Sequence, residues 1–324
     1  MNTYKHLKFE SVDIELKQLN INLQRMITAE HPVLYAAAEQ LFSAGGKRIR
    51  PIILLIIAKL TSDQGRISNE QKRLAEITEI IHTASLVHDD IIDNCETRRG
   101  IETVHSVFTN KIAVLAGDFL FAQSSWYLAN LNNSEVVKVI SKVITDFAEG
   151  EVQQSTKFFD YKISTRDYIE KSFYKTASLM ANSCKGVTML NSNNLKMQND
   201  FYLYGKHLGL AFQIIDDILD IVSSKHTLGK PAGADLKNGN LTAPIIFALE
   251  EKPEIIKLIN REFQNPEDIS KAISLIKSTK GIQKAKDLAM EHIQLAVHII
   301  HKYYSNKDIK DILLVSYYIL NRIN

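Results

Sequence analysis

The stretch Glu70–Asp93, EQKRLAEITEIIHTASLVHDDIID, carries an apolar segment from Ile77 to Val87 and ends in acids. With neither glycine nor proline inside, it reads as one helix. A second stretch, Leu208–Asp220, LGLAFQIIDDILD, closes in the same way. In Asp89-Asp90-Ile91-Ile92-Asp93 and in Asp216-Asp217-Ile218-Leu219-Asp220 the first and last carboxylates are four residues apart. That spacing puts them on one helical face, about 6 Å from each other at Cβ. Carboxylates beside surface that should be buried are costly unless paired. A hard divalent cation is the simplest partner, and two such faces turned toward each other could hold Mg²⁺ around a polyanionic ligand. A solvated acidic face is the plain alternative for either run alone.

The rest of the chain supports helix throughout. Its 324 residues, 45% of them hydrophobic, are enough for a sizeable core in one large domain or two. Only 13 Gly and 6 Pro leave long uninterrupted segments, so an all-α chain is expected. Helices are expected over Leu7–Met26, Pro32–Phe42, Ile52–Leu60, Glu70–Asp93, Thr103–Ala129, Glu135–Gln154, Arg166–Leu190 and Asp200–Val222. Several are apolar nearly all round and belong in the middle of a bundle. From Leu241 to Ile323 helical segments alternate with turns at Pro253, Pro266, Gly281 and Ser305. Neither a domain linker nor a repeat interrupts the pattern, so residues 1–324 are expected to form a single domain.

Composition also narrows the partners. The net charge of +2, without a basic stripe interleaved with aromatics, gives no reason to expect nucleic acid. Cys95 and Cys184 have no metal or redox spacing, which fits a reducing compartment. Met1 to Phe9 resembles neither a signal peptide nor a transit peptide. The apolar run Ile52–Ala58 is far short of the ~20 residues that span a bilayer, and no transmembrane helix is expected.

Residues that could grip an anion lie near the acidic runs. Ser43-Ala-Gly-Gly-Lys-Arg-Ile-Arg-Pro51 ends one helix and starts another, crowding Lys47, Arg48 and Arg50 into the turn, a candidate anion site or an ordinary solubilising loop. Arg98 and Arg99 follow the first run, and His82 lies two turns before Asp89 on the same face. Taken alone, His82 reads as a satisfied core histidine before it reads as a ligand. Lys175-Thr176 and Lys230 lie on other segments, and Gln213 sits one turn before Asp217 with Phe212 beside it. Residues 223–240, with Gly229, Gly233, Gly239, Lys225, Lys230, Lys237 and Asp235, are a lid or a connector.

Together, Gly45-Gly-Lys-Arg-Ile-Arg-Pro51, Leu86-Val-His-Asp-Asp-Ile-Ile-Asp93 with Arg98-Arg99-Gly100, Lys175-Thr176, and Phe212-Gln-Ile-Ile-Asp-Asp-Ile-Leu-Asp220 with Gly229-Lys-Pro-Ala-Gly-Ala-Asp235 resemble the trans-isoprenyl diphosphate synthases, or polyprenyl synthetases. The motifs run in order through residues 40 to 245. The stretch Ala113–Ala129 and Gly239-Asn-Leu-Thr-Ala-Pro244 look closest to the long-chain, solanesyl-type enzymes of cyanobacteria and plastids.

The resemblance implies a single helical bundle around a deep central cavity, the isoprenoid synthase fold, usually as a homodimer. It implies an allylic prenyl diphosphate held between the acidic runs by about two or three Mg²⁺ ions, with Mn²⁺ able to substitute. Asp89, Asp93, Asp216 and Asp220 would be the metal ligands, with Arg98, Lys175 and Lys230 on the phosphates. Isopentenyl diphosphate would use Lys47, Arg50, His82 and Arg99, and Thr176 and Gln213 would border the cation formed when the allylic C–O bond ionises. The double bond of isopentenyl diphosphate then attacks that cation, and a proton is lost to the released diphosphate. One departure stands out: many members carry Lys after the glycine corresponding to Gly239, where this chain has Asn240. Lys237 or Lys230 is then expected to compensate.

Chain length is read from the helix before Asp89. Ser85 and Ala84, then Ile81 and Ile80, face the growing tail; the small pair leaves open a level where short-chain members place Phe or Tyr. A product beyond C20 is expected, and the resemblance alone suggests a nonaprenyl (C45) chain for plastoquinone. The alternatives are a class I terpene cyclase, a metal phosphohydrolase built on His82, His88 and Asp89, and a non-catalytic subunit of a heteromeric synthase. The basic turn and the full second run argue against the first, the second run against the next, and the intact acids against the last. A plastid stroma or a bacterial cytoplasm fits the missing transit peptide, with product release at a membrane surface.

Overall fold

The computed structural model describes residues 9–43, 45–62, 64–98, 100–222, 232–306 and 308–323. The described chain is almost wholly helical, as expected, with one two-stranded antiparallel pair. It divides into two compact units. The first comprises Met1–Lys142, Leu179–Leu203 and Ile300–Val315; the second comprises Val143–Ser178, Tyr204–Ile299 and Ser316–Asn324.

In the first unit the helices are α1 (Asp13–Met26), α2 (Pro32–Ser43), α3 (Ile49–Thr61) and α4 (Asn69–Ile92). Then come the strands β1 (Thr97–Arg98) and β2 (Ile101–Glu102), and helices α5 (Val104–Val107) and α6 (Asn110–Ala129). Helix α4 is central. It opens on a capping box in which Ser68 accepts from the Gln71 N–H and the Gln71 side chain accepts from the Ser68 N–H. Ile77, Ile80, Ile81, Ala84 and Val87 are buried along it. Each fully buried Ile contributes about 1.5–3 kcal/mol. Thr78 and Thr83, buried with them, return their hydroxyl protons to the carbonyls of Leu74 and Glu79 at 2.8 Å.

The expected helix over Thr103–Ala129 is broken instead. Thr109 caps α6 by accepting from the Ile112 N–H, and Phe108 is not helical, so α5 and α6 are separate. The strand pair was not expected either; it joins Thr97 to Glu102 and Arg98 to Ile101. Helix α6 is 20 residues long and apolar enough to cross a membrane by length and composition, although polar residues interrupt its apolar run. Its Ala113, Ala116, Gly117, Leu120, Ser124 and Leu128 are buried, while Val114, Leu115 and Trp126 are exposed. A stripe buried on one side marks a packed helix, and on its other side the uncovered apolar side chains stand among exposed Lys111, Asp118 and Ser125.

Helix α7 (Ser134–Ser155) begins in the first unit and ends in the second, where α8 (Thr165–Ser172) leads into a π turn, Phe173–Ala177, and only then into α9 (Ser178–Met189), which from Leu179 belongs to the first unit. The continuous helix expected over Arg166–Leu190 therefore carries an inserted bulge. Gly209 of α10 (Leu195–Val222) sits against it: a Cβ there would stand 2.7 Å from Ala177 Cα. The short helix α11 (Ala234–Lys237) follows residues 223–231, which lie outside the described residues. Helices α12 (Ala243–Glu251), α13 (Ile255–Asn260), α14 (Asp268–Lys277) and α15 (Gly281–His301) complete the unit. Residues of its last segment, from Ser316, continue α16 (Lys310–Leu320). Gly281, expected as a turn, begins a helix.

Candidate active site

Each unit carries one acidic run with its own basic and polar neighbours. In the first, Asp89 and Asp93 are half-buried at the end of α4, where the Asp93 N–H closes the helix on the Asp89 carbonyl at 2.8 Å. Asp90 points the other way. It is buried, and its Oδ1 accepts from Arg98 Nε at 2.7 Å and Nη2 at 2.6 Å. The strand pair thus delivers Arg98 to the acidic run, though to its inward carboxylate, and burial opposes the Arg98 charge while Asp90 and Asp89 favour it. Asp90 Oδ2 is buried without a hydrogen bond. Arg99 lies outside the described residues.

The basic turn divides its cations. Arg48, with a left-handed backbone (φ 48°), turns inward to the buried Glu79 at 2.7 Å. Arg50, in the first turn of α3, donates from Nη1 toward His82 Nε2 at 3.0 Å. Lys47 is exposed. The structure therefore brings Arg50 and His82 together from distant segments and leaves Lys47 beside them in sequence. His82 is half-buried, with a cation as its polar partner.

His88 takes a packing role. Its Nε2 meets the Val114 carbonyl at 3.1 Å, its ring lies 5.7 Å from that of Phe121, and a Cβ at Gly117 would stand 2.2 Å from Nε2. Glycine at 117 is what lets this ring lie on α6. Of the residues assigned to chain length, Ile81 and Ala84 are fully buried, and Ser85 is half-buried with its hydroxyl on the His82 carbonyl.

In the second unit Asp216 is more open than its neighbours, its side chain 37% exposed, and Arg322 Nη1 reaches it at 2.6 Å while stacking its guanidinium 4.6 Å over the Phe212 ring. Asp217 is buried; it accepts from Tyr168 Oη at 2.6 Å and from Gln213 Nε2 at 2.7 Å. Burial raises Asp217 to about 8, with Asp235 adding to the shift and Tyr168 and Lys171 opposing it. Asp220 receives the first two N–H groups of α11, Ala234 at 3.3 Å and Asp235 at 3.2 Å. A carboxylate at a helix start satisfies those otherwise unpaired donors.

The π turn supplies the rest. Thr176 Oγ1 donates to Gln213 Oε1 at 2.6 Å, and Lys175 pairs with Glu151 at 3.0 Å. A π turn adds a residue to the helical repeat and redirects the side chains within it, which is how Lys175 and Thr176 leave the face that α8 would give them. Lys230 lies outside the described residues. Reading the sequence missed Tyr168, Lys171, Arg322 and the part played by Asp217. The spacing of Tyr168 and Lys171 before Lys175, at i, i+3 and i+7, was a signal; nothing in the sequence ties Arg322 to Asp216.

Hard carboxylate oxygens suit Mg²⁺ or Mn²⁺. Among the described residues no three His, Cys, Asp or Glu side chains form a ready metal cluster. Mg²⁺ commonly takes one or two carboxylates and completes its shell with water and substrate phosphate, so pairs such as Asp89 with Asp93 fit that mode.

A family model, polyprenyl synthetase, matches residues 31–276. The chain belongs to the polyprenyl synthetase family. It is thus a prenyltransferase, a trans-polyprenyl diphosphate synthase with the isoprenoid synthase fold. A prenyl transferase of Porphyra purpurea is 59% identical over 98% of this chain and 98% of its own length. Solanesyl diphosphate synthase 2, chloroplastic, of Arabidopsis thaliana is 50% identical over 89% of this chain and 70% of its own. Among solved structures, heptaprenyl diphosphate synthase from Staphylococcus aureus superposes with a TM-score of 0.92, at 28% identity over 97% of this chain and 99% of its own. A polyprenyl synthase from Caulobacter crescentus complexed with calcium and isoprenyl diphosphate gives 0.91, at 29% identity over 97% of each.

Proposed function

We propose that this chain, acting as one polyprenyl synthetase domain, condenses isopentenyl diphosphate head-to-tail with an allylic prenyl diphosphate to give an all-trans product beyond C20, nonaprenyl for a plastoquinone side chain. The observation that carries the reading is the contact of Arg50 with His82 at 3.0 Å. It joins two residues assigned on independent motifs to the second diphosphate, a ligand that a terpene cyclase does not need.

Asp89, Asp93, Asp216 and Asp220 are the proposed Mg²⁺ ligands, and bound Mg²⁺ would supply Lewis-acid neutralisation of the departing diphosphate. The polar side chains do the rest. Lys175, with Arg98 and Lys230 as further candidates, adds positive charge where the leaving group accumulates negative charge. Gln213 is clamped at both ends, its amide N–H on Asp217 and its carbonyl receiving the Thr176 hydroxyl. With its proton committed to Gln213, the Thr176 hydroxyl presents oxygen lone pairs that can stabilise an allylic cation. Arg50, His82, Lys47 and Arg99 are the proposed grip on isopentenyl diphosphate. Ala84, Ser85 and Ile81 are proposed to leave room for the growing tail.

The uncovered stripe of α6, Val114, Leu115 and Trp126, supports a homodimer built on that helix. A plastid stroma or bacterial cytoplasm is proposed as the location, consistent with the chloroplastic relative. The test is incubation of the purified protein with Mg²⁺, labelled isopentenyl diphosphate and farnesyl or geranylgeranyl diphosphate. Elongated polyprenyl diphosphates are expected; cyclic hydrocarbons, free phosphate or no turnover would overturn the reading.

A further inference from the structure

Beneath the second acidic run lies a lysine that none of the assigned roles uses. Lys171, on α8, is 8% exposed, and its ammonium donates to Asn240 Oδ1 while lying 5.8 Å from the Tyr168 ring centroid. Burying an ammonium is costly unless it is paired and hydrogen-bonded. Desolvation holds the Lys171 ammonium below the ordinary lysine value, with Lys175 adding to that and the carboxylates of Asp217, Asp235 and Glu151 opposing it.

The contact leads on to the metal face. The Asn240 N–H donates to the Asp235 carbonyl at 2.8 Å, the Asp235 N–H donates to Asp220 Oδ2 at 3.2 Å, and Asp217 is the chain neighbour of Asp216. Lys171 therefore fixes, through Asn240, the loop that positions Asp220. Lys237, looked to from the sequence as the compensating cation, is exposed, and Lys230 lies outside the described residues.

We propose that Lys171 is a positioning residue of the second acidic run, supplying from α8 the buried cation that holds Asn240 and, through it, the Asp235 backbone in place so that Asp220, together with Asp216, can bind a metal diphosphate. The proposal rests on the reading of Asp216 and Asp220 as metal ligands. It makes the charge, rather than its chain position, the functional quantity: because the Lys171 ammonium touches the Asn240 side chain, a lysine at 240 would bring its own ammonium to the same corner.

The test is a charge-relocation cycle of Lys171→Met, Asn240→Lys and the double variant. Two readouts are taken: calorimetric binding of inorganic pyrophosphate with Mg²⁺, and KM and kcat with the allylic diphosphate; circular dichroism melts check the fold. Lys171→Met should weaken pyrophosphate binding and lower kcat/KM by about tenfold or more, as expected for loss of a charged hydrogen bond. Asn240→Lys alone, which sets two ammonium groups side by side, should also weaken both. The double variant should recover to within about threefold of the parent, because a single ammonium again occupies this corner. The proposal is overturned if Lys171→Met binds pyrophosphate like the parent, if it lowers only the melting temperature, or if the double variant is no better than the worse single one. A parent that binds pyrophosphate but elongates nothing would sink the proposed function while leaving this cycle readable.

Discussion

Asp89 and Asp216 open their runs, and each faces away from the buried second carboxylate of its run. Asp90 and Asp217 are consumed internally, by Arg98 and by Tyr168 with Gln213. Replacing Asp89 or Asp216 with Ala should therefore lower turnover by about a thousandfold or more while the far-ultraviolet dichroism stays helical, as for loss of a Lewis-acid ligand. Near-normal incorporation of labelled isopentenyl diphosphate by either variant would remove the metal assignment. A second residue-level prediction concerns His207 and His292, whose Nδ1 atoms lie 2.9 Å apart. Burial pushes His292 down to about 4 and His207 down as well, with Lys206 adding to both and Glu291 opposing at His207. A histidine whose folded value is depressed binds its proton more readily unfolded, so stability is present above the unfolded value and falls as pH drops from about 6.5 toward 4. The loss between pH 7 and pH 5 should be about 1–2 kcal/mol after discounting for partial solvent screening. Urea titrations at the two pH values should show it, and His292→Gln should shrink the difference; an unchanged difference would assign the acid sensitivity elsewhere.

Helix α4 shows how far one element could be read in advance. Its capping box, its buried apolar stripe and its acidic end all follow from the spacing within Ser68–Asp93, because they depend on neighbours at most four residues away. Its fully buried Ala84 and half-buried Ser85 are small. Ala84→Phe is expected to shorten the product; chromatography showing the parental chain length would sink the assignment of this level to the tail. The π turn was not legible. Local propensity describes Phe173–Ala177 as ordinary helix, and what favours the bulge is nonlocal, including the close approach of the Gly209 backbone to Ala177. The break between α5 and α6 was nearer to legible, since Thr109 with its side chain on the Ile112 N–H is a helix-start signal inside an apolar segment.

For the whole molecule, the exposed apolar stripe of α6 is the feature that a lone chain does not explain. Val114, Leu115 and Trp126 are 42%, 47% and 60% exposed, and a groove of about 490 Å³ runs between α2 and α6, lined by Val33, Leu34, Ile112, Leu115 and Phe119. Leu115→Glu combined with Trp126→Glu is expected to convert a dimer into a monomer in sedimentation velocity at micromolar concentration. A parent that is itself monomeric would remove the proposed homodimer, and a variant that stays dimeric would place the partner surface elsewhere.

The sequence by itself determined the all-helical class, the two acidic faces and the basic residues proposed to meet phosphate, because these depend on composition and on spacings within a few turns. It also supplied the family likeness that a model matching residues 31–276 bears out. Tertiary structure decided what each charge is for. Arg48 and Arg50 stand two residues apart, yet one is spent on buried Glu79 and the other meets His82. Lys171 and Lys175 stand four apart, yet one holds Asn240 and the other pairs with Glu151. Asp216 meets Arg322 from more than a hundred residues away. The physical reason is that a side chain's charge acts on whatever the fold brings within a few ångströms, and that neighbourhood is set by packing between distant segments.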